Sequence, residues 1–436
     1  MAFLQGLFGL AFFIGLGYIF SINRRAIDWR LVVIGVALQI SLGLLILEVP
    51  FVQAGFKRVS EGFVTFLDFS RHGSEFLFGD LAKNSRAYPD AKHSLGLIVA
   101  FQVLPVIIFF ATVTAGLYYL GILQKVVYVI AWVMARTMRL SGPESLSAAG
   151  NIFLGQTEAP LLVKPFIPQM TYSELMCLMT GGMATIAGSV LAAYVSFLGG
   201  DDPVLRAEAA ANLLTASIMN APAAVVMAKM MVPQTQPELI QKELNVAKES
   251  LGVNLIDALS QGAGDGLRLA LNVGGMLLAF IALIAMFNYM LGRLGEWIGL
   301  NPLINASTGG AFPKLSMEYI LGQLVRPLAW AMGVAWDQTL LMGSLLGKKT
   351  AVNEFVAYAD LAQMKANGQL SPHTILIATY ALCGFSNFSS IAIQIGGISV
   401  MAPNQQSNLS KLGLRALLAA SLACMMTATI AGVLAG

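Results

Sequence analysis

The chain has 436 residues, of which 57% are hydrophobic and only 11% charged. Soluble domains carry about 25% Asp, Glu, Lys and Arg, so so few charges cannot clothe a globular surface, and a soluble enzyme is excluded. With 26 basic against 23 acidic residues and a net charge of +3, a nucleic-acid-binding face, disorder and fibrous repeats are excluded as well.

A bilayer core about 30 Å thick needs roughly 20 mostly apolar residues per helical span, and a charge at mid-membrane costs several kcal/mol unless sheltered. The first charge-free stretch runs from Met1 to Asn23. Its basic residues, Arg24, Arg25 and Arg30, follow the apolar run, whereas a secretory signal has them before it. By the positive-inside rule this span runs from outside to inside. Leu31 to Leu47 returns outward. Residues 50 to 96 mix charges (Lys57, Glu61, Asp68, Arg71) with Phe56, Phe63, Phe66, Phe69, Phe76 and Phe78, the pattern of one or two interfacial helices. The third span lies within Ser94 to Gln124 and is expected to end at a basic loop holding Lys125, Arg136 and Arg139.

Further clear spans are Leu175 to Leu198, Ala209 to Ala228, Leu269 to Leu291, Ile375 to Val400 and Ala416 to Leu434, eight in all. The polar connection from Val232 to Arg268 reads as a loop around Pro233 and Pro237, followed by an amphipathic helix over Glu243 to Ala263, on the inner side. Counting crossings from an outside N-terminus puts the C-terminus outside too.

Two segments repeat one order of events. Ser147 to Ala193 has a short apolar stretch, a polar break at Gly155-Gln156-Thr157-Glu158, a second short stretch, and a span interrupted at Gly181 to Ser189. Trp336 to Ile398 has the arm Leu340 to Leu346, a break at Gly347-Lys348-Lys349-Thr350, then Asn353-Glu354-Phe355, and a span interrupted at Gly384 to Ser390. Arms of about 10 residues are too short to cross at roughly 1.5 Å per residue, so each pair is expected to enter and return on one side. The first follows an inward span and the second an outward one, which makes an inverted-topology repeat. Secondary transporters hold substrate and ions between such broken helices.

The chemistry concentrates there. Glu158 and Glu354 sit near the arm tips, where a carboxylate would accept from a ligand rich in O–H and N–H donors, carry a proton, or simply meet water, Lys164 or Lys349. Gln156, Thr157, Asn387, Ser389 and Ser390 add amides and hydroxyls that suit an uncharged ligand or interhelical hydrogen bonding. Phe385 and Phe388 would stack on an aromatic ligand or pack. Asn151 and Thr185, with backbone carbonyls freed at the breaks, make an all-oxygen shell for a hard monovalent cation. Cys177, Cys383 and Cys424 are far apart in apolar runs, and His72, His93 and His373 are dispersed, so neither disulfides nor a zinc site is expected.

The segments Gly155-Gln156-Thr157-Glu158-Ala159-Pro160, Asn353-Glu354-Phe355-Val356-Ala357-Tyr358 and Cys383-Gly384-Phe385-Ser386-Asn387-Phe388-Ser389-Ser390 resemble the signatures of concentrative nucleoside transporters in their short bacterial form. The resemblance runs from the Ser21-Ile22-Asn23-Arg24-Arg25 loop to the last span. It implies an all-α polytopic membrane protein with eight transmembrane helices, two re-entrant hairpins in an inverted-topology repeat and interfacial helices, assembled as a homotrimer in a bacterial inner membrane. It also implies an importer of nucleosides coupled to Na⁺ by elevator-like alternating access. The scaffold would comprise 1–140 and 233–315, and the transport domain 141–232 and 316–436. By motif position, Gln156, Thr157, Glu158 and Val190 would meet the nucleobase, the middle two partly through water. Phe385 would pack near base and ribose, and Glu354, Asn387 and Ser390 would bind ribose hydroxyls. Asn151, Thr185 and the carbonyls of Leu154 and Ile186 would hold one Na⁺. Thr185 stands where some relatives have Ser, and it keeps the hydroxyl.

The rival readings are proton coupling through Glu158 or Glu354, a passive channel, and an intramembrane hydrolase. No Gly-x-Ser-x-Gly elbow and no His-Glu-x-x-His occurs in the chain. The paired hairpins argue against a simple pore.

Overall fold

The computed structural model describes residues 2–83, 98–200, 202–241, 243–244 and 252–435. The secondary structure among them is helical. Helix α1 (Ala2–Ile19) carries no charge and ends where Arg24 folds back, its Nη2 donating to the Ile19 carbonyl at 2.9 Å and its Nε to that of Tyr18 at 3.2 Å. This is a favourable place for a cation, beside the negative end of the helix dipole. The apolar run of α1 therefore stops short of the expected Asn23. Helix α2 (Trp29–Leu47) starts on Asp28, whose side chain accepts from the amides of Arg30 and Leu31.

The interfacial stretch is one long helix, α3 (Pro50–Phe78), that buries Ser60, Val64, Leu67, Ser70 and Ser74 at helical spacing. Phe63 and Phe66 lie against Phe109 and Phe110 of the next long helix instead of both facing outward. His93 and the expected start of the third span at Ser94 lie outside the described residues. Helix α4 (Val99–Gln102) leads into α5 (Leu104–Tyr119).

What the sequence suggests as a basic loop after the third span is helix α6 (Ile122–Met138). Val127, Ala131, Met134 and Met138 form its buried stripe, and Lys125 and Arg136 sit off that stripe, so the basic residues mark one side of a helix and not a break. Helix α7 (Gly142–Gly150) opens on a capping box between Ser141 and Glu144 and packs on the 3₁₀ turn Ala159–Val163 that doubles back after it. Helix α8 (Tyr172–Ala184) opens on a second box, Thr171 with Glu174, and is followed after three non-helical residues by α9 (Gly188–Gly199). Helix α10 (Pro203–Met231) is 29 residues long and nearly all buried beyond its first turn.

The amphipathic helix expected over Glu243 to Ala263 begins later. Helix α11 (Leu255–Trp297) starts on the Asn254 cap and runs for 43 residues without interruption through the sixth expected span. Residues 245–251 of the expected helix lie outside the described residues. Then come α12 (Asn301–Ser307), α13 (Met317–Ala331), α14 (Thr339–Ala351) and α15 (Glu354–Ala366). The break expected at Gly347 to Thr350 is moved to Val352-Asn353. Helix α14 continues through both lysines because Lys348 finds Glu318 at 3.1 Å and also Asp360, while Lys349 caps a distant carbonyl. Helices α16 (Pro372–Leu382), α17 (Phe388–Met401) and α18 (Gln406–Leu434) complete the chain.

Among the described residues six helical stretches are long and apolar enough to cross a membrane, and α1 and α17 are shorter apolar helices. The interior is built by α8, α10, α16 and α18, which pack on one another; α1 and α2 lie against α18 and α10. A second body pairs α5 with α11. Gly262 and Gly266 of α11 form a Gly-x-x-x-Gly stripe, the spacing that lets membrane helices approach closely. A Cβ at Gly262 would come 2.6 Å from the Ala115 Cβ, and one at Gly266 2.7 Å from the Ile108 Cα. The outward side of α11 leaves Leu271, Leu278, Met286 and Tyr289 exposed.

Buried and partly buried ion pairs tie elements together. Lys229 of α10 reaches Glu144 of α7 and donates to Ser173 at 3.0 Å, and Arg206 donates to Asp68 of α3 at 2.6 Å. Glu318 of α13 also accepts from Asn288 of α11 at 2.8 Å, so one polar chain runs from α11 through α13 to α14 and α15.

Gly266→Leu must push into the α5 backbone, and overpacking of this kind costs about 1–3 kcal/mol. The variant should show a lower apparent unfolding temperature in detergent. Gly264→Ala, where a Cβ meets nothing within 4 Å, should be neutral or slightly stabilising.

Candidate functional site

The site is built where two interrupted helices meet. Helix α8 ends at Ala184 and α16 at Leu382, and the Phe385 amide donates across to the Thr185 carbonyl at 3.2 Å. Breaking a helix frees carbonyls, and in an apolar interior each must find a donor. Asn220 of α10 supplies both at once, its Nδ2 lying 2.8 Å from the Ala184 oxygen and 2.7 Å from that of Cys383. The Cys424 thiol approaches the same two oxygens at 3.4 Å each, and Lys349 donates to the Ala381 carbonyl at 2.8 Å. Gly384 allows the approach, because a Cβ there would stand 2.8 Å from the Ala184 oxygen.

On the far side of the second break, Asn387 caps α17. Its Oδ1 accepts from the Ser390 amide at 2.9 Å and the Ser389 hydroxyl at 2.6 Å, which turns Nδ2 toward Glu354 at 2.9 Å. The other Glu354 oxygen accepts from the Tyr194 hydroxyl at 2.9 Å. Tyr194 is held by stacking on Tyr358, with ring centroids 4.3 Å apart, and by the edge of Phe355. Glu354 is 2% exposed and is the first residue of α15, set by the Asn353 cap, so it lies at the positive end of that helix. Each carboxylate oxygen keeps a further lone pair for a ligand donor.

The polar turn after α7 comes to the same place. Gln156 is buried and donates to the Ser390 hydroxyl at 3.1 Å. Glu158 accepts from the Gly155 amide at 3.1 Å and is exposed, as is Thr157. Glu158 opens on a cavity of about 130 Å³ shared with Thr114, Ser189, Gln261 and Asp265, between the turn and the α5–α11 pair. Val190 is buried on α9 one turn before Tyr194; Phe385 is half-buried and Phe388 exposed.

A third cluster lies at the α8 break. Asn151 and Thr185 are each 1% exposed and both neighbour Gly181, which accepts from the Thr185 hydroxyl at 3.0 Å. A Cβ at Gly181 would come 2.9 Å from Asn151 Nδ2, so the glycine seats that amide. Asn151 Oδ1 is buried without a hydrogen-bond partner. Among the described residues no hydrogen bond reaches the carbonyl oxygens of Leu154 or Ile186. An orphaned amide oxygen, a hydroxyl with free lone pairs and two open carbonyls form a donor set that fits a small hard cation. Groups of three or more His, Cys, Asp or Glu side chains able to hold a metal are absent among the described residues, and the three cysteines are free and buried.

Three family descriptions match in series: Na⁺ dependent nucleoside transporter N-terminus over residues 8–81, nucleoside recognition over 100–201, and Na⁺ dependent nucleoside transporter C-terminus over 212–432. The chain belongs to the Na⁺-dependent nucleoside transporter family. An uncharacterized transporter of Haemophilus influenzae is 40% identical over all of this chain and 99% of its own length. Solute carrier family 28 member 3 of Eptatretus stoutii is 40% identical over 98% of the chain, and sodium/nucleoside cotransporter 1 of Rattus norvegicus 38%. This chain spans 60% and 63% of those two animal proteins. Solved structures of CNTnw in an inward-facing substrate-bound state and, as a variant, in an outward-facing state match with TM-scores of 0.89 and 0.88 at 38% identity, covering 100% of this chain and 100% and 98% of theirs. These relatives are transporters and not enzymes.

Three residues of these polar clusters are missing from the sequence-based set. Tyr194 follows Val190 by four residues and so shares its helix face, Gln394 follows Ser390 by four, and Asn220 is the second of two amides in the long helix α10, after Asn212, and stands two residues before Pro222. That spacing is the signal that could have found the first two.

Asn220→Ala leaves two buried carbonyls with only a weak thiol donor. Losses of about 1–3 kcal/mol per unsatisfied group should appear as a large fall in apparent unfolding temperature in detergent. Asn220→Asp, which lacks the amide donor, should not restore it.

Proposed function

We propose that this chain is a Na⁺-coupled nucleoside importer that works by elevator-type alternating access. The observation that carries the reading is the convergence of Gln156, Ser390, Asn387 and Glu354, from three segments far apart in sequence, at the junction of two broken helices. Such a cluster suits a neutral ligand with many hydroxyl and N–H handles. Glu354 and Asn387, with Ser390, would take ribose hydroxyls. Gln156, Thr157, Glu158 and Val190 would face the base, with Phe385 beside it. The sodium ion would be held by Asn151, Thr185 and the carbonyls of Leu154 and Ile186, next to the substrate cluster.

The two short doubled-back segments, α7 with its 3₁₀ turn and α14 with α15, are the re-entrant hairpins in this reading, related by inverted topology. Helix α14 at 13 residues is about 20 Å long, short of the roughly 30 Å hydrocarbon core. The mobile part takes 141–232 and 316–436, and α5 and α11 form the fixed part. Residues 1–47, which pack on α10 and α18, belong in this reading with the rest of 1–140 and with 233–315 to the fixed part. The exposed apolar side of α11 supports assembly of three copies around these fixed helices. In a bacterial inner membrane one Na⁺ crossing 100 mV releases about 2.3 kcal/mol. A tenfold gradient adds about 1.4 kcal/mol, which together sustain accumulation of a neutral solute by roughly a few hundredfold.

Radiolabelled uridine uptake into proteoliposomes tests this. Accumulation is expected with an inward Na⁺ gradient; accumulation with a proton gradient and none with Na⁺ would overturn the ion assignment. Glu354→Gln replaces a charged acceptor worth about 1.5–3 kcal/mol, so kcat/KM should fall about 10- to 100-fold. Asn151→Ala should raise the Na⁺ concentration for half-maximal uptake by about tenfold, with uridine KM at saturating Na⁺ little changed.

A further inference from the structure

We infer that Gln394 fixes which way round the Gln156 amide faces its ligand, so that Gln156 turns its N–H end, and not its carbonyl end, toward the nucleobase. This rests on the nucleoside reading and adds a positioning residue to it. Gln394 lies on α17 one turn beyond Ser390, is 1% exposed, and is the one amide in the apolar stretch Ile391 to Ile395. A buried amide in an apolar run needs a reason to be there.

Its hydrogen bonds supply the reason. The two hydrogens of Gln394 Nε2 are both given away, to Gln156 Oε1 at 3.3 Å and to the Met179 carbonyl at 3.1 Å. Turning this amide over would set its oxygen against two acceptors and lose both bonds, so its orientation is determined. That in turn determines Gln156. With Oε1 turned to Gln394, and Nε2 turned to Ser390 with one hydrogen given to its hydroxyl, the Ser390 side of Gln156 keeps one free N–H, and the second lone pair of Oε1 stays at the Gln394 end of the amide. Gly182 makes the arrangement possible: a Cβ there would come 2.5 Å from Gln394 Nε2 and 3.1 Å from Gln156 Cβ.

Glu158, on the same turn, supplies acceptors when ionised. The two side chains together then present one fixed donor and one fixed acceptor. This pair reads a base edge carrying a ring carbonyl beside an N–H, such as that of uracil, and Gln394 keeps the donor from becoming a second acceptor. A freed Gln156 amide could present either end and would lose that discrimination.

The experiment measures KM for uridine, 2-thiouridine and 4-thiouridine in Na⁺-driven proteoliposome uptake, since sulfur in place of a carbonyl oxygen weakens one acceptor at a time. In the unaltered protein one of the two substitutions is expected to raise KM about fivefold, the scale of one hydrogen bond. In Gln394→Met, similar in length but without the amide, that penalty should fall below twofold and uridine KM should rise. The Na⁺ concentration for half-maximal uptake should stay unchanged. Gln394→Asn, one methylene too short to reach Gln156, serves as a second variant if the first does not fold, and should lose the penalty likewise. An unchanged thio penalty in the variants, or none in the unaltered protein while uridine is still taken up, overturns the inference and leaves the nucleoside reading standing. Absence of uridine uptake by the unaltered protein overturns both.

Discussion

The constraint on which this structure depends is that backbone carbonyls freed inside an apolar interior must find donors. Two helices are broken at the same depth of the fold, and their loose ends are brought together instead of being capped separately. One amide, Asn220, serves Ala184 and Cys383 together, the Cys424 thiol stands beside both, and Lys349 takes the carbonyl of Ala381. Once these groups are satisfied from behind, the opposite sides of the breaks are left open. There the N-termini of α9 and α17 and the unbonded carbonyls of Leu154 and Ile186 can face a ligand. The polar site is thus a consequence of how the breaks are satisfied, since the donors all come from α10, α14 and α18.

The few charges are used in the same economical manner. Lys229 with Glu144 ties the short helix α7 to α10, and Lys348 with Glu318 and Asp360 ties α14 to α13 and α15. Buried pairs of this kind add little net stability against well-packed apolar residues, but removing one partner alone is costly. Their effect is to permit one docking of each short segment, where apolar arms alone could settle in several. The α5–α11 pair is held by different means, small residues in close contact, and among the described residues it carries no such ion pairs to α8 or α9 across the cavity that Glu158 faces.

Much of this was legible in the chain. The breaks at Gly181 to Ser189 and Gly384 to Ser390 were visible because glycine, hydroxyl and amide residues cluster inside otherwise apolar runs, and a helix there would have no reason to contain them. Glu158 and Glu354 stood out in a sequence so poor in charge. The misreadings share one physical cause. Lys348 and Lys349 looked like a loop, and Lys125 and Arg136 looked like another, because charge in an apolar run suggests water. Both sets are helical, the first because Glu318, Asp360 and the Ala381 carbonyl receive the ammonium groups. Asn220 and Tyr194 gained their meaning from partners 163 and 160 residues away, and neither composition nor local period carries such information.

Gly181 and Gly182 adjoin on α8, yet each seats an amide from a different part of the chain: Asn151 against the first and Gln394 against the second. Adjacent residues on a helix point about 100° apart, so the two amides press on α8 from different directions. A slide by one residue, or a turn by one position, would put a side chain where one of them must lie. Helix α8 is therefore keyed in both rotation and translation by two notches, and the segment between the Asn151 cluster and the Gln156 cluster behaves as a rigid spacer of fixed pitch.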